Sequence, residues 1–490
     1  MNKVILTISC LCICFNVGTQ TPFNKLYDFG LDQANAYTIF ERSGYYYIAG
    51  QGVPKETGER NVFIAKIDLL GNVIKSRIWD NPKDDNEITF LTSNQTVSQL
   101  EDSFIIGYID FPDCFLEIDY NLENIELIKC INLPNNNLNV TAQVIKNDTL
   151  INITNNVDQR ILITLLDLST NEHTIKDITP ETDDKFQMLN LLEDEKTGKL
   201  IILGIYFNAD QKGLYIFEID NEYNLIKEFY PLDSIDGNWL LSDSFFDSNG
   251  DLIVLLYESK SDFFGTLYKP FIVKLDKNFD VTWSIPTDNQ FTKLKSINFS
   301  ITESFDNKHY LFVGNNSPEL SPPIDTAFVG KISHDGSILW KKKFADPNLP
   351  FDNKLHSIVA TSDGFYTAVG TRQVHTTNDS LDSYNQTWLI KFNDEGEIVN
   401  VGSTSSTDNF PEISFNIYPN PSSNTLVVEN SFSKEFTYDI FNVVGQFKSH
   451  GLLNKNNKTT IDLVNYESGT YIITFSDKGG LVKTQRFVVP

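Results

Sequence analysis

The chain has 490 residues, of which 41% are hydrophobic and 12% aromatic, with 36 Phe, 20 Tyr and only two Met. This balance excludes disordered and helical-bundle classes and fits strand-rich globular protein, in a chain too long for one core. The formal charge of −26 disfavours nucleic acid and anionic membrane surfaces as partners. Residues 411–490 hold as many acids as bases and residues 1–19 hold only Lys3, so the acidity belongs to the middle of the chain.

Residues 1–19 read as a signal peptide. Lys3 is followed by an apolar run from Val4 to Phe15 and by the small residues around Gly18. The run is too short to remain as a membrane span, so the exported product is not expected to be an integral membrane protein.

Beyond it, one hairpin pattern is written seven times. An apolar strand, a polar turn and a second strand begin at Phe63, Phe115, Ile161, Tyr215, Pro270, Phe328 and Trp388. The turns open on Asp68, Asp119, Asp167, Asp220, Asp276, Ser333 and Asn393, spaced by 48 to 60 residues. The acids among them are read as turn caps that accept local N–H groups. Ahead of each hairpin come two more apolar segments. One of these is usually closed by a glycine, as at Gly50, Gly107, Gly204, Gly314 and Gly370. Pro82, Pro134, Pro180, Pro231, Pro286 and Pro347 follow the fourth strands.

Four strands recurring about every 50 residues is the period of propeller blades. Strands apolar on both faces cannot be buried by one sheet alone, so each blade must pack between two others, and closing a ring removes the open ends. The expected fold is therefore all-β: a seven-bladed β-propeller over residues 20–401, then a small C-terminal β-sandwich. The strand-like Leu26–Phe29 is expected to complete the last blade, with Glu397–Val401 as its rival. Two separate β-sandwiches are the alternative fold.

Cys114 and Cys130 flank the turn of one hairpin symmetrically and should face each other on neighbouring strands, as a disulfide formed after export or as two packed thiols.

Residues 402–411 are a polar linker, and residues 412–490 carry short alternating strands starting near Thr425, Thr437, Thr459, Tyr471 and Arg486. Tyr471, Ile473 and Phe475 share one face, as a half-buried strand requires. Gly445 and Gly469 are read as turn glycines with unusual backbone angles. The ordered set Ile417-Tyr418-Pro419-Asn420-Pro421, Ile440 to Gln446 with Gly445, Ser468-Gly469-Thr470-Tyr471 and the terminal Phe487-Val488-Val489 resembles the type A C-terminal sorting domain of Bacteroidetes type IX secretion clients. That resemblance implies export through the signal peptide and then recognition by the outer-membrane type IX machinery. Release or attachment at the cell surface would follow.

The sequence holds no HExxH, GxSxG, P-loop, GxGxxG or CxxC motif, and its six histidines are scattered. Asp247-Ser248-Asn249-Gly250-Asp251 places oxygen ligands around a glycine as calcium loops do, but lacks the downstream glutamate and is equally a metal-free turn. In a propeller the links from second to third strands share a rim with the inter-blade links. The former lengthen at 258–270, 315–326 and 371–387 and carry Phe263, Phe264, Tyr268 and Tyr384, while the latter carry acids such as Asp84, Asp184 and Asp288. The reading that follows is an exported protein binding an extracellular carbohydrate or protein through this acidic, aromatic rim. The alternative is a propeller glycoside hydrolase or lyase with its site in the central channel.

Overall fold

The computed structural model describes residues 23–398 and 415–490, apart from 55–57, 59, 80–96, 110–112, 132–138, 156–159, 183, 195, 208–211, 233–237, 263–264, 288–298, 317–325, 345–352, 376–382, 423, 431–434, 443–445, 456 and 478–479. The signal peptide and the linker lie outside them. Every regular element among the described residues is a strand. Among the described residues, seven four-stranded antiparallel sheets make up the β-propeller: blade 1 (31–79), blade 2 (97–131), blade 3 (139–177), blade 4 (185–232), blade 5 (238–286), blade 6 (300–344) and blade 7 (353–392). Blade 7 borrows its fourth strand from the start of the described chain, because Phe23–Tyr27 pairs with Ser383–Phe392 from Phe23 opposite Lys391 to Tyr27 opposite Thr387. The closing strand is thus the one expected, ending two residues short of Phe29.

Alternation along each strand supplies two apolar faces. In blade 4, Leu200 and Ile202 are buried against blade 3, while Ile201, Leu203 and Ile205 are buried against blade 5. A separate buried cluster fills each of the seven junctions, and the one between blades 7 and 1 joins Val369 and Leu389 to Ile48, Phe63 and Ala65. Polarity on either face would leave a sheet unsupported, so burial drives the circle.

The turn between third and fourth strands repeats one geometry. Its first residue accepts backbone N–H groups: Leu70 N–H donates to Asp68 at 2.9 Å, Glu222 N–H to Asp220 at 2.9 Å, Ser337 N–H to Ser333 Oγ at 3.1 Å and Glu397 N–H to Asn393 at 2.7 Å. These N–H donors, Asn224 foremost, hold the Asp220 carboxyl below its ordinary range. A left-handed residue follows in every copy: Gly71, Leu122, Asn171, Tyr223, Phe279, Gly336 and Gly396. Bulky side chains resist that conformation, but Leu122 and Phe279 are buried between blades, and that burial offsets the strain.

The same turn receives the fourth strand of the preceding blade. Arg77 donates to Leu122 O at 3.0 Å, Lys129 to Asn171 O at 2.5 Å, Lys176 to Glu222 O at 2.9 Å, Trp283 to His334 O at 2.9 Å and Trp340 to Asp394 O at 3.2 Å. At the remaining link of the linear series, Phe229 sits edge-on to Phe279 at 4.8 Å. At the closure Tyr27 donates to Gly71 O at 2.7 Å and Lys25 to Leu70 O at 2.8 Å. The closing strand therefore donates to the next turn as five of the other six fourth strands do.

Three sequence readings are corrected here. The glycines do not close their strands: Gly50 lies inside Tyr45–Pro54 and Gly370 inside Tyr366–His375. A bulge in the first strand presses backbone onto them, so that a Cβ would sit 2.1 Å from Asn35 O and 1.9 Å from Lys354 O respectively. Pro231 and Pro286 lie within the last two residues of their fourth strands, where an outer edge needs no N–H donor. The long links of blades 5 and 7 are paired ribbons, with Asp262 opposite Gly265 and His375 opposite Ser383.

The C-terminal module is a sandwich. A three-stranded sheet (Asn416–Tyr418, Thr425–Asn430, Asn457–Asp462) faces a four-stranded one (Phe447–Leu453, Phe436–Asn442, Gly469–Asp477, Gly480–Val489). Leu426, Val428, Ile440, Ile473, Phe475 and Phe487 are among its core residues. Asn420 laces the two sheets together, accepting Val488 N–H at 3.0 Å and donating to Arg486 O at 3.2 Å between two cis prolyl bonds. Gly469 is no unusual turn residue: its φ is not positive and a Cβ there would meet open space. Gly445 lies outside the described residues.

Candidate functional site

Of the four rim aromatics, Phe263 and Phe264 lie outside the described residues. Tyr268 stands on the rising arm of the blade 5 ribbon, half-buried, its ring edge-on to Tyr257 at 6.5 Å. Tyr384 stands on the blade 7 ribbon opposite Val374, also half-buried. The two belong to different blades. Among the inter-blade acids named above, Asp184 is described and is half-buried beside the start of blade 4, whereas Asp84 and Asp288 are not described.

At the junction of blades 5 and 6 the fold builds a polar cluster onto the Asp247–Asp251 turn, adding partners that the sequence did not announce. Asp247 opens the turn between the first two strands of blade 5, and its Oδ1 accepts the N–H groups of Asn249 and Asp251 at 2.9 Å each. Its Oδ2 accepts Lys274 Nζ at 3.0 Å and the Tyr310 hydroxyl at 2.6 Å. Lys274 also lies 3.0 Å from Asp251 Oδ2. Burial tends to raise the Asp247 carboxyl, but the Tyr310 hydroxyl, the Asp251 N–H and Lys274 outweigh it and hold it below its usual range. Beside this, Glu303 of blade 6 accepts Ser248 N–H at 2.8 Å and the Ser248 hydroxyl at 2.9 Å. His334 stacks on Tyr310 at 4.5 Å and approaches Glu303 Oε1 to 3.3 Å.

Ligand atoms of Asp247, Glu303 and His334 all fall within 4.8 Å of one another, a spacing that a divalent cation could bridge. The donor set argues for a different cation. Both Asp247 oxygens are already engaged, and the Lys274 ammonium sits between Asp247 and Asp251, where a calcium loop would hold its ion. The arrangement also recurs at the ring closure without a histidine. There Ser362 N–H donates to Glu41 at 2.6 Å, its hydroxyl donates to the other Glu41 oxygen, and Lys391 pairs with Asp363 beneath Tyr46. A device repeated with different third partners is a clamp between blades, tying a turn of one to a strand of the next.

One further pair came together only in the fold, and a second was expected from the sequence. His356 and Tyr37, the bulge residues of the first strands of blades 7 and 1, meet with tilted rings whose centroids are 5.2 Å apart. Burial, aided by Lys354, pushes the His356 imidazole down to about 3. Cys114 and Cys130 stand directly opposite and are joined as a disulfide, with Cα atoms 4.0 Å apart. No helix among the described residues is long and apolar enough to cross a membrane.

Three similar solved structures are a puromycin hydrolase, an ulvan lyase bound to a sulfated glucuronate–rhamnose disaccharide unit, and the propeller of Dos1. The hydrolase is 8% identical with a TM-score of 0.45, covering 82% of this chain and 60% of its own. The lyase is 9% identical with a TM-score of 0.46, covering 75% and 96%. The Dos1 propeller is 10% identical with a TM-score of 0.40, covering 76% and 95%. The chain thus spans about 60% of the hydrolase's length. No curated protein matches the sequence. Residues 416–490 match the family described as the secretion system C-terminal sorting domain, in the segment where Tyr418, Pro419, Asn420 and Pro421 lead into the sandwich. The protein is a client of type IX secretion, carrying that sorting domain behind its β-propeller and exported by this route to the cell surface or the extracellular space.

Proposed function

We propose that the protein acts outside the cell as a binding protein, its propeller engaging an extracellular carbohydrate or protein through the rim where second and third strands join. One observation supports this most. In blades 5 and 7 those strands run on as paired ribbons of eleven and ten residues per strand, against seven in blades 2 and 3. Each extra ordered residue costs roughly 1–2 kcal/mol of backbone entropy, which a mere scaffold would have no reason to spend. Tyr268 and Tyr384 stand on these ribbons, and an aromatic ring suits both sugar faces and protein partners.

The test is a glycan array and a cell-surface binding assay with the full chain, run beside Phe263→Ala, Phe264→Ala and Tyr384→Ala. Binding that falls at least about tenfold in the variants supports the reading, a loss of roughly 1.4 kcal/mol. Unchanged binding in all three removes the rim from the account. Turnover in a parallel glycosidase and lyase panel would move the activity to a channel enzyme instead.

A further inference from the structure

The outer face of a sandwich sheet ordinarily meets water, so residues alternating with its core positions should be exposed. In the strand Gly469–Asp477 the inward residues are Tyr471, Ile473 and Phe475. Ile472 points the other way, yet it is only 2% exposed. Its cross-strand neighbours are Phe441 on one side and Arg486 on the other, and Phe441 is 4% exposed. An isoleucine and a phenylalanine on an outward face, both dry, must be covered by something outside the sandwich.

The cover is the propeller. Ile472 belongs to the same buried cluster as Trp283, Ile285 and Ile338 at the junction of blades 5 and 6. The strand Gly480–Val489 runs beside Ile338–Phe344, the outer strand of blade 6. At one end of the row, Lys269 of blade 5 places its ammonium 5.1 Å from the Phe441 ring. At the other, Arg486 acts on Asp335 in the blade 6 turn. Burial there raises the Asp335 carboxyl, but the Ser333 hydroxyl and the Ser337 N–H outweigh it with help from Arg486, so it lies below its usual range.

We infer that the row Phe441–Ile472–Arg486 is a docking surface with which the sorting domain seats on the outer edges of blades 5 and 6, making cargo and sorting domain one body rather than two on a tether. An apolar centre flanked by a cation over an aromatic ring and by the attraction of opposite charges is the anatomy of a small specific interface. Docking this way leaves the opposite, three-stranded sheet free, with Tyr418 exposed on it and Lys458 lying 5.7 Å from its ring. The secretion machinery would meet that side. Removal of the sorting domain would uncover the apolar patch beside Ile338.

The experiment uses the full chain with paired cysteines. Lys269→Cys with Phe441→Cys, and Asp335→Cys with Arg486→Cys, bracket the interface. Lys269→Cys with Val464→Cys is the control, Val464 being 67% exposed. On mild oxidation at high dilution, both interface pairs should crosslink within the chain at least about tenfold faster than the control, as a fixed geometry raises effective concentration. Ile472→Asp should erase that difference while leaving the sandwich core, which it does not face, intact by circular dichroism. Equal rates for interface and control pairs, or an unchanged ratio in Ile472→Asp, would overturn the inference.

Discussion

Lys274 of blade 5 and Tyr310 of blade 6 meet at 2.9 Å over a single carboxylate oxygen of Asp247. The three groups come from two sheets and are nearly dry, the Asp247 side chain being fully buried. At the junction of blades 6 and 7, Lys331 and the Tyr366 hydroxyl likewise meet on one Asp394 oxygen, at 2.6 and 3.1 Å, and at the ring closure the buried Lys391 pairs with Asp363 and donates to Leu69 O at 3.0 Å. Among the described residues, the junctions of blades 5 and 6, 6 and 7, and 7 and 1 are thus each held by a buried lysine as well as by apolar contact.

A buried ion pair is costly to break from one side. Lys274→Met should destabilise the propeller by about 3–5 kcal/mol, because Asp247 is left charged and unpaired. Adding Asp247→Asn to Lys274→Met should recover part of that loss. Urea unfolding of both variants checks it, and equal midpoints for wild type and Lys274→Met would contradict the buried geometry.

The Cys114–Cys130 bridge closes a short loop with a sequence separation of 16. Restricting the unfolded chain by a loop of that size is worth about 3 kcal/mol in the entropic account. Reduction, or Cys114→Ala with Cys130→Ala, should lower stability by that order. It should leave the strand pairing intact by circular dichroism, since Cys114 also packs as an apolar residue in the junction of blades 1 and 2.

His356 sets a pH dependence of known sign. Its folded value of about 3 lies below the unfolded value near 6.5, so the unfolded chain binds more protons between the two. This contribution is fully present above about pH 6.5 and is lost as pH falls, at roughly 1.4 kcal/mol per unit down to the folded value. His356→Phe should flatten the stability profile over that window relative to wild type. Parallel profiles would show that the imidazole is not neutral in the fold.

Asn420 holds the last strand through its side chain. Asn420→Ala should remove two hydrogen bonds and cost the sorting domain about 1–3 kcal/mol. The direct measurement is amide exchange: Val488 N–H should exchange faster in the variant while Ile473 N–H, in the central part of the sheet, changes little.

Much of the architecture is visible in residue spacing. Asp68, Asp119, Asp167, Asp220 and Asp276 mark their turns because a carboxylate that accepts N–H groups two to five residues on acts entirely within its own hairpin. The glycines were harder to read. Gly50 is required by the backbone of Asn35 crossing it from the first strand, a contact no window around Gly50 contains. The ribbons of blades 5 and 7 look like loops in the sequence because their polar residues hide the strand period, although the cross-strand register runs to the tip. The cluster of Asp247, Glu303 and His334 was out of reach for the same reason as Gly50: its members sit on separate turns of two blades.

By itself the amino-acid order determined the repeating hairpin, the count of its copies and the sorting motif, since each is written in residues a few positions apart whose conformations constrain one another directly. Tertiary structure alone decided which side chains of different blades share a proton or a charge, how Phe23–Tyr27 completes the ring, and why Ile472 is dry. Those outcomes join segments tens to hundreds of residues apart, and only the packing of one sheet against another brings them within the few ångströms over which such forces act.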